Sequence, residues 1–178
     1  VFMFKLGIIG TGSISHEFIK ATHSTGDYQL AAIYSRTLAS AERFVQNYEN
    51  TAVYTEMLDF LSSDIDVVYI ASPNSLHFKH AKVAILARKH VIVEKPAVSR
   101  PKEWWELVKL ADEHQVYLFE AARNYHEQAF DTISDFLKDK TVLGASFTYA
   151  KYSSKMQALL AGEQPNVFSA KFSGGALM

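Results

Sequence analysis

Short apolar runs alternate with longer stretches of helical spacing through the first two thirds of the chain. A run of one kind followed by a run of the other predicts strand then helix, repeated. Residues 4–9 form a mainly apolar run that suits a strand buried on both faces. Residues 13–23 place Ile14, Phe18 and Ala21 on one helical face. Residues 29–34 read as a second strand, and residues 38–48 as a helix carrying Ala41, Phe44, Val45 and Tyr48. Residues 52–54 are a short strand, after which Thr55 is expected to cap a helix running through Leu61. The Val-, Tyr- and Ile-rich residues 66–71 are the clearest strand. A helix over 76–89 is marked by Ala81, Ala84, Ile85 and Arg88, and a strand over 90–93 follows it. Pro101 opens a helix that runs to about Gln115, residues 116–119 are a sixth strand, and a helix is expected over 127–138.

Such alternation predicts an α/β domain over residues 1–121, a doubly wound parallel sheet of the Rossmann type with helices on both faces. The pattern changes after Gly144. Residues 145–153 read as one long strand and residues 154–178 as loop, so residues 122–178 are expected to open a second α+β domain. One strand cannot form a sheet alone, which predicts that the sequence is a piece of a longer protein.

Composition narrows the chemistry. The 178 residues contain no cysteine, which excludes disulfides, thiol catalysis and thiolate metal sites. That absence fits a cytoplasmic protein. A formal net charge of −1 gives no electrostatic reason to expect nucleic acid or an anionic membrane as partner. No run of about 18 apolar residues predicts a membrane span.

Gly10-Thr11-Gly12-Ser13-Ile14-Ser15 lies between the first strand and the first helix. Gly10 suits a tight turn, and Gly12 lets the backbone approach a pyrophosphate ahead of the free N–H groups of a helix N-terminus. Ser15 stands at the third fingerprint position and is small enough for close helix–strand packing. In this context the motif predicts dinucleotide binding. The second strand ends in Tyr34-Ser35-Arg36-Thr37, where an NAD site usually has an acid for the ribose 2′-hydroxyl. Asp27 is at the wrong end of that strand. Ser35, Arg36 and Thr37 are donors, and the Arg36 guanidinium suits a 2′-phosphate. NADP(H) is therefore the expected cofactor, with NAD(H) possible.

Ala71-Ser72-Pro73-Asn74 follows the clearest strand at its carboxyl end, where ligands bind in open α/β sheets, and His77 stands close behind it. All five are expected to contact the cofactor. His77 and His80 have the spacing of a metal pair but lack a companion ligand, so no metal site is expected. Val93-Glu94-Lys95-Pro96 again ends a strand. A partly buried lysine there can hold a substrate oxygen and move its proton, with Glu94 orienting it. Taken alone, the pair reads equally well as a salt-bridged strand end.

Together, Gly10 and Gly12, Ser72-Pro73-Asn74 and Glu94-Lys95-Pro96 resemble the family of glucose–fructose oxidoreductase, inositol dehydrogenase and MocA, over the whole chain. The resemblance is nearest the dihydrodiol dehydrogenase branch. It implies catalysis by Lys95 with Glu94, both beside the cofactor, and places Arg123 and Asn124 near cofactor or substrate. Gly174-Gly175-Ala176-Leu177-Met178 resembles the start of the family's glycine-rich helix motif, whose substrate-facing residues would lie beyond Met178. The implied activity is hydride transfer between NADP(H) and a secondary alcohol or ketone of a sugar, polyol or cyclic diol. The implied second domain has an open, mostly antiparallel sheet, and the implied full-length protein is a homo-oligomer, dimer or tetramer. Without that domain, this stretch alone is not expected to turn over. Tyr125, Lys151 and Tyr152 fit a substrate pocket and ordinary packing or solvent exposure equally well. A non-catalytic NADP-binding sensor on the same fold is the alternative. A methyltransferase is disfavoured, because it too wants an acid after the second strand.

Overall fold

The computed structural model describes residues 3–148, 150 and 152–170. Two compact units divide the chain, Val1–Ala121 and Ala122–Met178.

The first unit holds a six-stranded sheet built from β1 (Phe4–Ile9), β2 (Tyr28–Tyr34), β3 (Ala52–Tyr54), β4 (Val67–Ile70), β5 (His90–Val93) and β6 (Leu118–Glu120). The strand order is β3-β2-β1-β4-β5-β6, and every pairing is parallel. Parallel neighbours need a crossover, here supplied by α1 (Ser13–Thr25), α2 (Leu38–Val45), α3 (Met57–Ser62), α4 (Asn74–Leu86) and α5 (Pro101–His114). This is the doubly wound Rossmann order, and its direction reverses between β1 and β4. Four consecutive buried residues in β4 and four at the end of β1 match their apolar runs, because helices cover both faces.

The two faces form separate cores. On one, Phe60 and Leu61 of α3, Ile85 of α4 and Leu107 of α5 pack against Ile9, Val68 and Ile70. On the other, Ile19 of α1 and Phe44 of α2 pack against Leu6, Ile8, Ile33 and Tyr69. Fully burying one such side chain stabilises the fold by about 1.5–3 kcal/mol.

Element ends depart from the sequence reading where a local signal outweighs periodicity. α2 stops at Val45, and Tyr48 instead closes a turn back to the Val45 carbonyl at 2.8 Å. α3 is preceded by Glu56, so Thr55 is not its cap. α4 begins at Asn74, directly after an extended Pro73. It ends at Leu86, before Arg88 turns left-handed at φ 58°.

In the second unit, a 3₁₀ turn at Arg123–His126 leads into α6 (Gln128–Leu137). α7 (Met156–Leu160) and a second 3₁₀ turn (Asn166–Phe168) break the stretch expected to be loop. The strand expected over residues 145–153 is not formed among the described residues of that stretch. An extended run gains ladder hydrogen bonds only from a neighbour, and the second unit has no other strand among its described residues. Lys151 and Gly174-Gly175-Ala176-Leu177-Met178 lie outside the described residues.

Candidate cofactor and active site

The carboxyl ends of β1, β2 and β4 open onto a cleft of about 870 Å³ at the point where strand order reverses. Gly10, Thr11 and Gly12 form one wall. Gly10 has φ +116°, and a Cβ there would come within 2.6 Å of the Ala71 carbonyl oxygen. The residue must therefore be glycine for the turn to pass under β4. Gly12 caps α1 in extended geometry, and a Cβ added there would meet nothing within 4 Å. Its missing side chain serves no neighbour in the fold; it leaves open space at a helix N-terminus. Ser15 is fully buried, and its hydroxyl donates to the Gly10 carbonyl at 2.9 Å, tying helix to turn. Ser13 and Ile14 occupy the first turn of α1 and do not line the cleft.

Ser35, Arg36 and Thr37 form the wall after β2. The Ser35 N–H donates to the Tyr54 carbonyl, and the Thr37 hydroxyl donates to Ser40, which also lines the cleft. Arg36 is exposed and makes no ion pair among the described residues. No Asp or Glu lines the cleft among the described residues. Ala71, Ser72 and Pro73 form the floor after β4, and Asn74 is the first residue of α4.

Beyond Asn74, α4 contributes Leu76, Lys79 and His80 to the cleft, none expected there from the sequence. Leu76 is three residues after Pro73, and Lys79 and His80 are three and four after Leu76; that spacing on one helical face is the signal that points to them. His80 Nδ1 lies 2.9 Å from the Ser72 hydroxyl. Burial first, then positive charge at His77 and Lys79, lowers its pKa to about 4, so the ring is neutral at pH 7. His77, by contrast, is only 1% exposed and does not line the cleft. Both its ring nitrogens are engaged by backbone carbonyls, so the expected cofactor contact has no free nitrogen to make it.

Lys95 follows β5, at the same edge of the sheet. It is exposed rather than partly buried, and Lys95–Pro96 is a cis peptide. Glu94 does not pair with the Lys95 ammonium among the described residues. Its Oε1 accepts the Tyr69 hydroxyl at 2.6 Å, and its Oε2 accepts the Lys95 backbone N–H at 3.3 Å. Burial and then the Glu94 carboxylate push the Tyr69 phenol up, so it stays a neutral donor. Glu94 thus anchors the turn instead of contacting the amine. Neither Glu94 nor Lys95 lines the cleft itself.

Arg123 and Asn124 belong to the second unit, where Arg123 Nε donates to Glu127 at 3.2 Å. Tyr125 and Tyr152 are exposed there.

Residues 4–122 match the family model described as an oxidoreductase family with an NAD-binding Rossmann fold. The chain belongs to the Gfo/Idh/MocA oxidoreductase family. Within that family it is 38% identical, over 99% of its length, to the uncharacterized oxidoreductase YgjR of Escherichia coli. It is 34% identical, again over 99%, to the scyllo-inositol 2-dehydrogenase (NADP(+)) IolU of Bacillus subtilis. Each match covers 54% of the relative, so the chain spans about half the length of these curated relatives. A 3-ketoreductase from Actinomadura kijaniata, solved with NADP and TDP-benzene, superposes with a TM-score of 0.72 at 26% identity. That superposition covers 77% of this chain and 42% of the ketoreductase.

Proposed function

We propose that this Gfo/Idh/MocA chain is the cofactor-binding part of an NADP(H)-dependent oxidoreductase. The proposed reaction transfers a hydride between the nicotinamide and a secondary alcohol or ketone carbon of a sugar, polyol or cyclic diol. The observation that carries the cofactor assignment is the cleft: an open Gly12 at the α1 N-terminus, Arg36 unpaired by any carboxylate, and no acid on the walls among the described residues. An acid after β2 would repel a 2′-phosphate; Ser35, Arg36 and Thr37 instead offer donors and positive charge. The names of the inositol dehydrogenase and ketoreductase relatives support both the nucleotide and the substrate class.

When bound, NADP(H) supplies the hydride chemistry. The chain does the rest. The α1 N-terminus and Gly12 hold the pyrophosphate, and Arg36 with Ser35 and Thr37 holds the 2′-phosphate. Lys95 Nζ holds the reacting oxygen and moves its proton, while Glu94, fixed by Tyr69, keeps the turn in place. The same reading takes the whole protein as a cytoplasmic homo-oligomer, on family resemblance.

A fluorescence titration with NADPH and NADH, on this chain and on Arg36→Ala, tests the assignment. A charged hydrogen bond of about 1.5–3 kcal/mol corresponds to roughly a 10- to 150-fold preference for NADPH, which Arg36→Ala should erase. Equal binding of both nucleotides by the unmodified chain would overturn the NADP assignment. Binding of neither would overturn the dinucleotide site.

A further inference from the structure

We infer that His77 is a positioning residue, a doubly protonated imidazole that clasps the loop after β4 to the turn bearing Lys95. The inference rests on the reading that Lys95 acts at the reaction centre. His77 sits in the first turns of α4 with 1% of its surface exposed. Its Nδ1 is 2.8 Å from the Pro96 carbonyl oxygen, and its Nε2 is 2.7 Å from the Ser72 carbonyl oxygen. Both partners can only accept. A neutral imidazole has one donor and one acceptor nitrogen, so one of these two contacts would set lone pair against lone pair. An imidazolium has two N–H donors and satisfies both.

The two carbonyls belong to the two segments that the proposed reaction needs in register. Ser72 lines the cleft, and Pro96 directly follows Lys95. No backbone pairing joins those two residues, because β4 ends at Ile70 and β5 at Val93. The ring is the strut between them. The Lys95 turn is braced from two further directions: the Glu94 carboxylate is held by Tyr69, and Glu120 Oε1 accepts the Ala97 N–H at 2.8 Å. Glu94 and Glu120 are the carboxylates that bear on the turn, while Lys79 and His80 are the ionisable groups near the ring on its own helix. His80 is neutral and so adds no second positive charge next to the clasp.

Nitrogen-15 NMR of this chain, labelled at histidine, reads the ring directly near neutral pH, with His77 assigned from the His77→Gln spectrum. The expected result is two protonated ring nitrogens whose N–H protons exchange slowly with solvent. One unprotonated nitrogen overturns the inference. Hydrogen exchange over residues 93–99 gives the second measurement, on the unmodified chain, His77→Gln and His77→Phe. Gln keeps a donor for one carbonyl and Phe keeps none. Exchange should quicken by about tenfold for each lost bond, with residues 4–12 unchanged. Equal exchange in all three proteins also overturns the clasp. Where His77→Phe does not fold, the NMR result and His77→Gln still decide. Neither measurement uses a nucleotide, so failure of the clasp and failure of the NADP reading are separate results.

Discussion

Gly10 and Gly12 are two residues apart and do different work, which makes them a matched pair. At Gly10 a methyl group meets the Ala71 backbone at positive φ, so Gly10→Ala should destabilise the fold by about 2–4 kcal/mol. At Gly12 the same methyl group meets nothing, so Gly12→Ala should cost under about 1 kcal/mol in urea unfolding. It should nonetheless weaken NADPH binding by about tenfold or more, because it fills the approach to the helix N-terminus. Loss of stability without loss of affinity at Gly12 would contradict this division. His80 makes a second prediction, in pH. Its folded pKa of about 4 lies below the unfolded value, so the unfolded chain binds more protons between pH 6.5 and 4. Stability from the neutral ring is complete above pH 6.5 and is lost as pH falls toward 4. Allowing for solvent screening at a half-buried site, about 1–2 kcal/mol is involved. Urea melts at pH 7 and pH 4.5 should converge by that amount in His80→Gln relative to the unmodified chain. The fingerprint glycines and the donor wall at Arg36 were legible in the sequence because adjacent residues carry each signal. His77 was misplaced because its partners, Ser72 and Pro96, come from two different loops, and only the fold brings both to one ring.

Elements follow the same division. β1 and β4 could be read because strands covered on both faces must be apolar throughout. The cleft-facing side of α4 is marked by no apolar stripe, since residues 74–86 are apolar or small on several sides, and only the spacing of Leu76, Lys79 and His80 points to it. Residues 145–153 show the limit of pattern alone, where β-like composition without a pairing partner leaves the described residues of the stretch outside any ladder. The turn between β5 and α5 depends on its neighbours too. Glu120 at the end of β6 accepts the N–H of Ala97, a residue only 3% exposed. Glu120→Ala would strand that buried donor and should cost about 1–3 kcal/mol, whereas Glu120→Gln, which keeps an acceptor oxygen, should cost less. Denaturant midpoints of the two variants would check the order.

At the scale of the molecule, the unit Val1–Ala121 contains the whole sheet, both cores and every residue of the cleft. The unit Ala122–Met178 has no buried residue among those described, and Phe130, Ile133 and Phe136 of α6 are exposed. A protein ending at Ala121 should therefore unfold cooperatively and bind NADPH within about threefold of the longer chain, while binding less of an apolar dye such as ANS. A large loss of affinity on removing residues 122–178 would place part of the nucleotide site in the second unit.

The strand order also sets a schedule. β1 precedes the other five strands in the chain, yet its inner partner is β4, with Leu6 beside Val67 and Ile9 beside Ile70. Ala71, the residue against which Gly10 turns, comes immediately after. During synthesis the first strand must therefore wait, paired on one side with β2, until β4 has left the ribosome. The Gly10 turn, which comes before β4 in the chain, takes its final shape only at that later moment. On a growing chain, the cleft cannot be complete until α4, which supplies part of its lining, has emerged.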